Sequence, residues 1–129
     1  MAYSSAKAGI LGLTSSIAAE FREYGITVNA ILPSADTKLF PGDKPRAVGD
    51  NMPLPLCLEP DCISPIIVFL GTNEAKKITG HFIYASGGDL CIYPRHLHLM
   101  GGSPLFIRKV GKWTVDELAN VVPATLGLV

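Results

Sequence analysis

The seven residues ITVNAIL, at positions 26–32, restrict the fold of this chain more than any other stretch. They form a short, nearly continuous apolar run rich in β-branched side chains, with Gly25 before it and Pro33 after it. A strand of a parallel sheet is covered on both faces and therefore reads as an unbroken apolar run, whereas a half-exposed strand alternates. The pattern predicts a buried parallel strand that ends at Pro33.

Helical patterns occur on both sides of this strand. Residues 3–24 predict a helix, because apolar side chains recur at three- and four-residue steps and form one stripe. The stripe consists of Ile10, Leu13, Ile17 and Phe21, and a separate line of small residues (Ala8, Ser15, Ala18) permits close approach of another element. A second helix is predicted for residues 60–70, with Ile63, Ile66, Ile67 and Leu70 facing inward, and a second strand for residues 81–85.

The order helix, strand, helix, strand is typical of an α/β protein with parallel strands. Two strands alone do not make a stable sheet. We therefore expect the chain to form the C-terminal part of a larger, doubly wound parallel sheet.

The remaining segments give weaker patterns. Residues 38–56 are crowded with proline and glycine and predict a loop, and Gly87 and Gly88 predict a turn. The segment LFIRKV predicts a third short strand. Thr114 and Glu117 have the spacing of a capping box, so TVDELANVV predicts a short helix that ends at Pro123.

Composition excludes several classes of protein. Hydrophobic residues make up 48% of the 129 residues, charged residues 17%, and the formal net charge is zero, so nothing indicates a nucleic-acid-binding surface. We expect no membrane span and no signal peptide, because the apolar runs are short. The three cysteines (Cys57, Cys62, Cys91) have no framework spacing, and we interpret them as reduced thiols of a cytoplasmic protein.

Tyr3 and Lys7 are four positions apart on the first predicted helix. Residues at this spacing lie on the same face, one turn above the other. A phenol and an ammonium group so placed could exchange a proton with a bound substrate, although most such pairs are only part of a helix surface.

With its neighbours, this pair resembles the second half of the short-chain dehydrogenases/reductases. The family signature Y-x-x-x-K matches Tyr3 and Lys7, its strand end VNAI-x-P matches residues 28–33, and its late strand matches residues 78–88. The similarity covers residues 2–93. Pro33 is followed by a P-x-A-x-T pattern rather than the commoner proline-glycine, which is similar to the hydroxyacyl-CoA dehydrogenase and 3-ketoacyl reductase branch. The tail GKWTVDELANVV is more loosely similar to that branch's C-terminal extension.

This resemblance implies roles for particular residues. Tyr3 would be the acid or base that exchanges a proton with the substrate oxygen. Lys7 would bind the nicotinamide ribose and favour the tyrosinate form, since a nearby cation stabilises a phenolate. Pro33, Ala35 and Thr37 would belong to the loop beside the nicotinamide and the diphosphate, although Thr37 could equally be the cap of the next turn. The cofactor would be NAD or NADP, and the substrate a hydroxyacyl or ketoacyl thioester.

Other parts of the family pattern are missing from the sequence. There is no glycine-rich turn to hold a diphosphate at a helix N-terminus, no N-N-A-G segment, and no serine upstream of Tyr3. Ser4 and Ser5 lie on the wrong side of Tyr3 to replace it. We therefore expect residues 1–95 to be the C-terminal half of a Rossmann domain and residues 96–129 to be an extension. We also expect the chain alone to bind no dinucleotide.

Two hypotheses about the chain remain open. It could be part of an oxidoreductase that works only with a complementing N-terminal half, or it could be a non-catalytic assembly module that forms homo-oligomers. Self-association is expected in either case, since one edge of the predicted strand lacks a neighbour. No metal site is expected, because His96, His98 and Cys91 lack further ligands at a suitable spacing. Trp113 is interpreted as a hydrophobic anchor for the last helix.

Overall fold

The computed structural model describes residues 1–38, 58–93 and 104–128, and these residues form a four-stranded sheet. The strands are β1 (Ala30–Pro33), β2 (Phe82–Ser86), β3 (Asp89–Tyr93) and β4 (Leu105–Arg108), and they lie side by side in this order. β1 and β2 are parallel, whereas β3 pairs antiparallel with both β2 and β4. The α/β fold is confirmed, and β3 and β4 extend the sheet beyond β2, with β3 antiparallel to both of its neighbours.

β1 begins later than the apolar run predicts, because side chains bond the backbone just before it. The amide of Val28 donates to Thr79 Oγ1 at 2.9 Å. The side chain of Asn29 donates to the carbonyl of Ile78 and accepts from the amide of His81. Together with the backbone bond from the Gly80 amide to the Val28 carbonyl, these bonds hold the chain just before β1, and the paired strand starts at Ala30.

The helix α1 (Ala2–Glu20) confirms the first predicted helix, although not its end. The chain tightens into a 3₁₀ turn at Arg22–Tyr24 and leaves it through Gly25, whose φ of 70° favours glycine. The buried residues of α1 are Thr14 and Ala18. The apolar stripe is more open to solvent: Leu13 is 58% exposed and Ile10 48%.

The second predicted helix consists of two pieces, a 3₁₀ turn at Pro60–Cys62 and the helix α2 (Ser64–Leu70). Ile66 and Phe69 are buried as core residues. The expectation for Ile67 is wrong, since 56% of this residue is exposed. Neighbouring residues of a helix point in different directions, so Ile67 of α2 faces away from the sheet when Ile66 faces it.

The cysteines do not all follow the expectation of reduced thiols. Cys62 is disulfide-bonded, so the interpretation is wrong at this residue. Cys91 is a free, buried thiol on β3. Cys57, like most of the predicted loop at 38–56, lies outside the described residues. The cytoplasmic location inferred from the thiols therefore stays a prediction.

The helix α3 (Val115–Thr125) begins with the predicted capping box. The Thr114 hydroxyl accepts from the amide of Glu117, and a Glu117 carboxylate oxygen accepts from the amide of Thr114. Pro123 lies inside the helix rather than at its end. A proline this near the C-terminus removes one backbone hydrogen bond. The helix continues past it, and Leu126 and Leu128 pack against the core.

The hydrophobic core lies between the sheet and the two later helices. Ile83 and Ala85 of β2 and Leu90 and Ile92 of β3 point to this side. From the helices they meet three fully buried side chains: Phe69, Leu118 and Val122. The proposed division at residue 95 lies outside the described residues and stays a prediction. Within the part of the chain that is described, no helix is long and apolar enough to cross a membrane.

Candidate active site

An open cleft of about 580 Å³ lies between α1 and the strands β1 and β2. Tyr3 and Lys7 line it from the first two turns of α1, and Pro33 lines it from the end of β1. Ile10 and Leu11 belong to its apolar walls. The cleft thus combines two polar groups at the start of a helix with mostly apolar surroundings, as binding sites for small molecules commonly do.

Tyr3 and Lys7 are in contact with each other. The Lys7 ammonium nitrogen lies 5.5 Å from the centre of the Tyr3 ring, which is within cation–π range. Tyr3 is 66% exposed, so its hydroxyl is accessible to a ligand. The four-residue spacing predicted this shared face, and the fold turns it towards β1.

The loop after β1 is held by backbone hydrogen bonds at two points. The Ser34 amide donates to the carbonyl of Ala85 at 2.9 Å, and the Asp36 amide to the carbonyl of Leu58 at 2.6 Å. Ala35 packs against the hydrophobic core and Thr37 is exposed, and neither lines the cleft. The structure therefore brings Pro33 together with the Tyr3–Lys7 pair but leaves the other two predicted loop residues outside this cleft. The roles of all five residues stay predictions.

Tyr84 is a third polar side chain in the cleft, and it is not among the residues that the sequence predicts there. It lies in the middle of β2, between the core residues Ile83 and Ala85. Because side chains alternate along a strand, Tyr84 must point away from the core and towards α1. The alternation in HFIYA was the signal that could have found it.

Two neutral groups of β3 lie on the same side of the sheet as Tyr84. Cys91 is the cross-strand partner of Tyr84, and Tyr93 follows on the same side of the strand. Burial raises the pKa of the Cys91 thiol above its ordinary 9.0, and burial raises the pKa of Tyr93 above 10.0. Both groups are therefore uncharged at neutral pH, which leaves Lys7 as a charged group that lines the cleft.

The described residues suit one end of a nicotinamide dinucleotide better than the other. The Lys7 ammonium and the Tyr3 hydroxyl are hydrogen-bond donors that could hold the nicotinamide ribose. A diphosphate requires backbone N–H groups at a helix start behind a glycine turn, and no such arrangement occurs in residues 1–38, 58–93 or 104–128. Nor does that part of the chain contain a group of three or more potential metal ligands, while His96 and His98 fall outside it.

Comparisons with known proteins show to which family the chain belongs. A family model described as enoyl-(acyl carrier protein) reductase matches residues 1–89. The crystal structure of a short chain dehydrogenase from Mycobacterium avium is 35% identical with a TM-score of 0.55, and the match covers 98% of this chain and 37% of that one. This chain belongs to the short-chain dehydrogenase/reductase family.

Within the family, the similar curated proteins act on 3-ketoacyl groups by name. An acetoacetyl-CoA reductase from Shinella zoogloeoides is 40% identical over 95 residues, which are 70% of this chain and 39% of that protein. A 3-oxoacyl-[acyl-carrier-protein] reductase FabG from Vibrio harveyi is 37% identical over 90 residues, which are 67% of this chain and 37% of that protein. The resemblance to the 3-ketoacyl reductase branch is confirmed. This short-chain dehydrogenase/reductase chain spans less than two fifths of the length of these relatives.

Proposed function

We propose that this chain supplies the proton-transfer half of an NAD(P)-dependent oxidoreductase that reduces 3-ketoacyl thioesters. The proposal is carried by one observation: Tyr3, Lys7 and Pro33 line the same cleft, with the Lys7 ammonium over the Tyr3 ring. The names of the similar reductases support the substrate class.

The reaction assigns a separate task to each of the two side chains. A bound nicotinamide would supply the hydride for the ketone carbon. As the ketone oxygen gains negative charge, the Tyr3 hydroxyl donates its proton to that oxygen, and the product is a hydroxyacyl thioester. The Lys7 ammonium, 5.5 Å from the Tyr3 ring centre, stabilises the phenolate that remains.

The proposed partner of this sheet is the first half of the family fold, which residues 1–129 do not include. β1 is hydrogen-bonded to β2 on one edge, and among the described residues no strand pairs with its other edge. Hollows flank this open edge on both faces: the cleft beside α1 and a second one of about 280 Å³ beside α2, lined by Thr27 and Ile67 among others. A strand with apolar side chains on both faces would fit here, together with the glycine-rich turn that this sequence lacks.

Reconstitution tests this function directly. We would co-express the chain with the part of the Shinella acetoacetyl-CoA reductase that precedes the matched residues, and measure NADPH and NADH oxidation with acetoacetyl-CoA. Tyr3→Phe keeps the ring and removes the proton, so we expect a loss of about 10²–10⁴-fold in turnover. Tyr24→Phe is the matched control, since Tyr24 is 70% exposed and does not line the cleft.

Equal activity of the Tyr3→Phe complex and its parent would refute the assigned role. The isolated chain serves as the second control. Titration calorimetry should detect no micromolar binding of either dinucleotide, because the diphosphate has no helix start to bind.

A non-catalytic assembly role is a second candidate, favoured by the open stripe of α1. Leu13, Ile10 and Phe21 are 58%, 48% and 39% exposed on one helix. Burying them between two copies would stabilise a dimer by roughly 25 cal/mol per Å².

Sedimentation velocity at low micromolar concentration tests this assembly. Leu13→Lys should shift the chain towards monomer, while Ala19→Lys, an exposed change on the opposite side of α1, should not. A monomeric parent chain would exclude the assembly role and leave the proposed oxidoreductase unaffected.

A further inference from the structure

The turn between β2 and β3 is unusually well buried for a hairpin turn. It comprises Ser86, Gly87, Gly88 and Asp89, and Ser86 is 0% and Asp89 4% exposed. Turns normally lie at the surface, where water bonds their backbone groups. Here the C-terminal segment takes the place of water.

Three residues of that segment, which we call the latch, bind the turn: Arg108, Lys109 and Trp113. Both carboxylate oxygens of Asp89 accept from Arg108, at 2.5 and 2.6 Å. The carbonyl of Gly88 accepts from the Lys109 amide at 3.1 Å and from Trp113 Nε1 at 3.0 Å. A two-pronged Arg–carboxylate pair fixes orientation as well as distance, so the latch holds the turn in one position.

The latch is itself anchored to α3. Lys109 Nζ lies 2.6 Å and 2.7 Å from the two carboxylate oxygens of Glu117, the residue that also completes the capping box of α3. Trp113 is only 6% exposed and belongs to the hydrophobic core. The latch therefore connects the turn to a helix whose inner side chains are fully buried.

On its other side, the turn is one residue away from the candidate active site. Ala85, directly before the turn, is the parallel partner of Pro33 and accepts the hydrogen bond of the Ser34 amide at 2.9 Å. A shift of the end of β2 away from β1 would break this bond and loosen the start of the loop that follows Pro33, although the Asp36 amide still bonds the Leu58 carbonyl.

We propose that Arg108 and Trp113 are positioning residues, which hold the end of β2 and through it the start of the Pro33–Thr37 loop beside the cleft. The role of that loop in cofactor binding rests on the proposed function; its fixation by the latch does not. The C-terminal segment thus has two roles: it packs on the core, and it sets the geometry of the Pro33–Thr37 loop on the other side of the sheet.

Amide hydrogen exchange of the full chain tests the connection without any activity measurement. Trp113→Phe keeps an aromatic side chain in the core and removes the Nε1 donor together with part of the indole, and Arg108→Gln removes the charge that Asp89 requires. Each change should speed exchange of the Ser34 amide, by at least about tenfold for Arg108→Gln, because a hydrogen bond to a charged group is among the stronger ones. The Ala30 amide, which bonds the His81 carbonyl at the other end of β1, should keep its rate.

Lys112→Gln is the matched control, since Lys112 is exposed in the same segment, and should change neither rate. Arg108→Lys, which retains the charge but not the two-pronged geometry, should fall between parent and Arg108→Gln. Unchanged Ser34 exchange in both latch variants would overturn the proposal. So would an equal acceleration at Ala30 and Ser34 in both, because the latch would then serve only overall stability.

Reconstituted enzyme gives a second readout. If the proposed function holds, Trp113→Phe should raise the KM for the dinucleotide at least a few-fold and leave kcat nearly unchanged. If reconstitution yields no activity at all, the proposed function fails, and the exchange result still decides the latch.

Discussion

α1 and α3 lie at opposite ends of the described chain, and they pack in opposite ways. α1 has 19 residues and buries Thr14 and Ala18, whereas α3 has 11 residues and buries Leu118 and Val122 completely. The same contrast separates the edge strand β1 from β2 and β3, which lie inside the sheet. The later part of the chain has a core of its own, while the part that carries Tyr3 and Lys7 adds little to it.

The part of the chain that stabilises the fold is therefore different from the part that carries the candidate catalytic pair. The candidate catalytic pair occupies the region with the fewest buried side chains, which is where local opening is expected to cost least free energy. Anything that covered α1 would therefore raise the free energy needed to open this region.

The largest expected effect comes from a core substitution in the later region. Phe69→Ala removes a side chain that is 0% exposed, and we expect the free energy of unfolding to fall by about 3–5 kcal/mol. Leu13→Ala, at a residue 58% exposed on α1, should change it by no more than about 0.5 kcal/mol. Urea unfolding followed by circular dichroism measures both. Similar losses at the two sites would mean that the regions do not differ as described.

An intermediate loss of unfolding free energy is expected for a substitution at the contact between the β1 region and the later part of the chain. Asn29, just before β1, bonds the carbonyl of Ile78 at 2.9 Å and the amide of His81 at 3.1 Å. Asn29→Ala leaves both backbone groups without this partner, so we expect a loss of about 1–3 kcal/mol and faster exchange of the His81 amide.

Asn120→Ala is the control for this change, because Asn120 bonds one carbonyl of its own helix at an exposed site. It should cost less than about 0.5 kcal/mol. A cost for Asn29→Ala as small as that of the control would show that β1 is held by its ladder bonds alone.

The smallest effect concerns alkaline pH and two titratable groups of β3, the buried Cys91 thiol and the partly exposed Tyr93 phenol. Burial raises the pKa of Cys91 from 9.0 and that of Tyr93 from 10.0, so the native state retains protons that the unfolded chain loses first. The stability they contribute is complete below about pH 9 and is lost as the pH rises towards their raised values. Cys91→Ala removes one of these titrations, so the stability difference between parent and variant should shrink from pH 8 to pH 10. Parallel pH profiles of the two proteins would contradict this.

The sequence predicted those elements whose signals are local. The three- and four-residue steps of α1, the glycine turn after β2 and the capping box at Thr114 depend on neighbouring residues, and the structure has all three. β3 was missed because DLCIY follows the glycine pair without a pattern that marks it as a strand, and only its pairing with β2 and β4 makes it one. The continuation of α3 past Pro123 likewise depends on contacts of Leu126 and Leu128 with the core.

The candidate site likewise has one part that the sequence predicts and another part that depends on the fold. The shared face of Tyr3 and Lys7 follows from helix geometry, and that part could be read from their spacing. Their meeting with Pro33 and Tyr84 could not, because it depends on how α1 crosses β1 and on the pairing of β1 with β2. Ala35 lies outside the cleft because it packs against the core, and its predicted role beside the cofactor stays a prediction.

Gly88 and the C-terminal segment are expected to be conserved together during evolution. A methyl group at this position would lie 2.1 Å from the carbonyl oxygen of Lys109, a backbone atom that cannot swing aside. A lineage that keeps the C-terminal segment docked as it is here must therefore keep glycine at 88, while a lineage that loses the segment is free to replace it. Among related sequences, a side chain at the position of Gly88 should mark those in which this segment is absent or docks elsewhere.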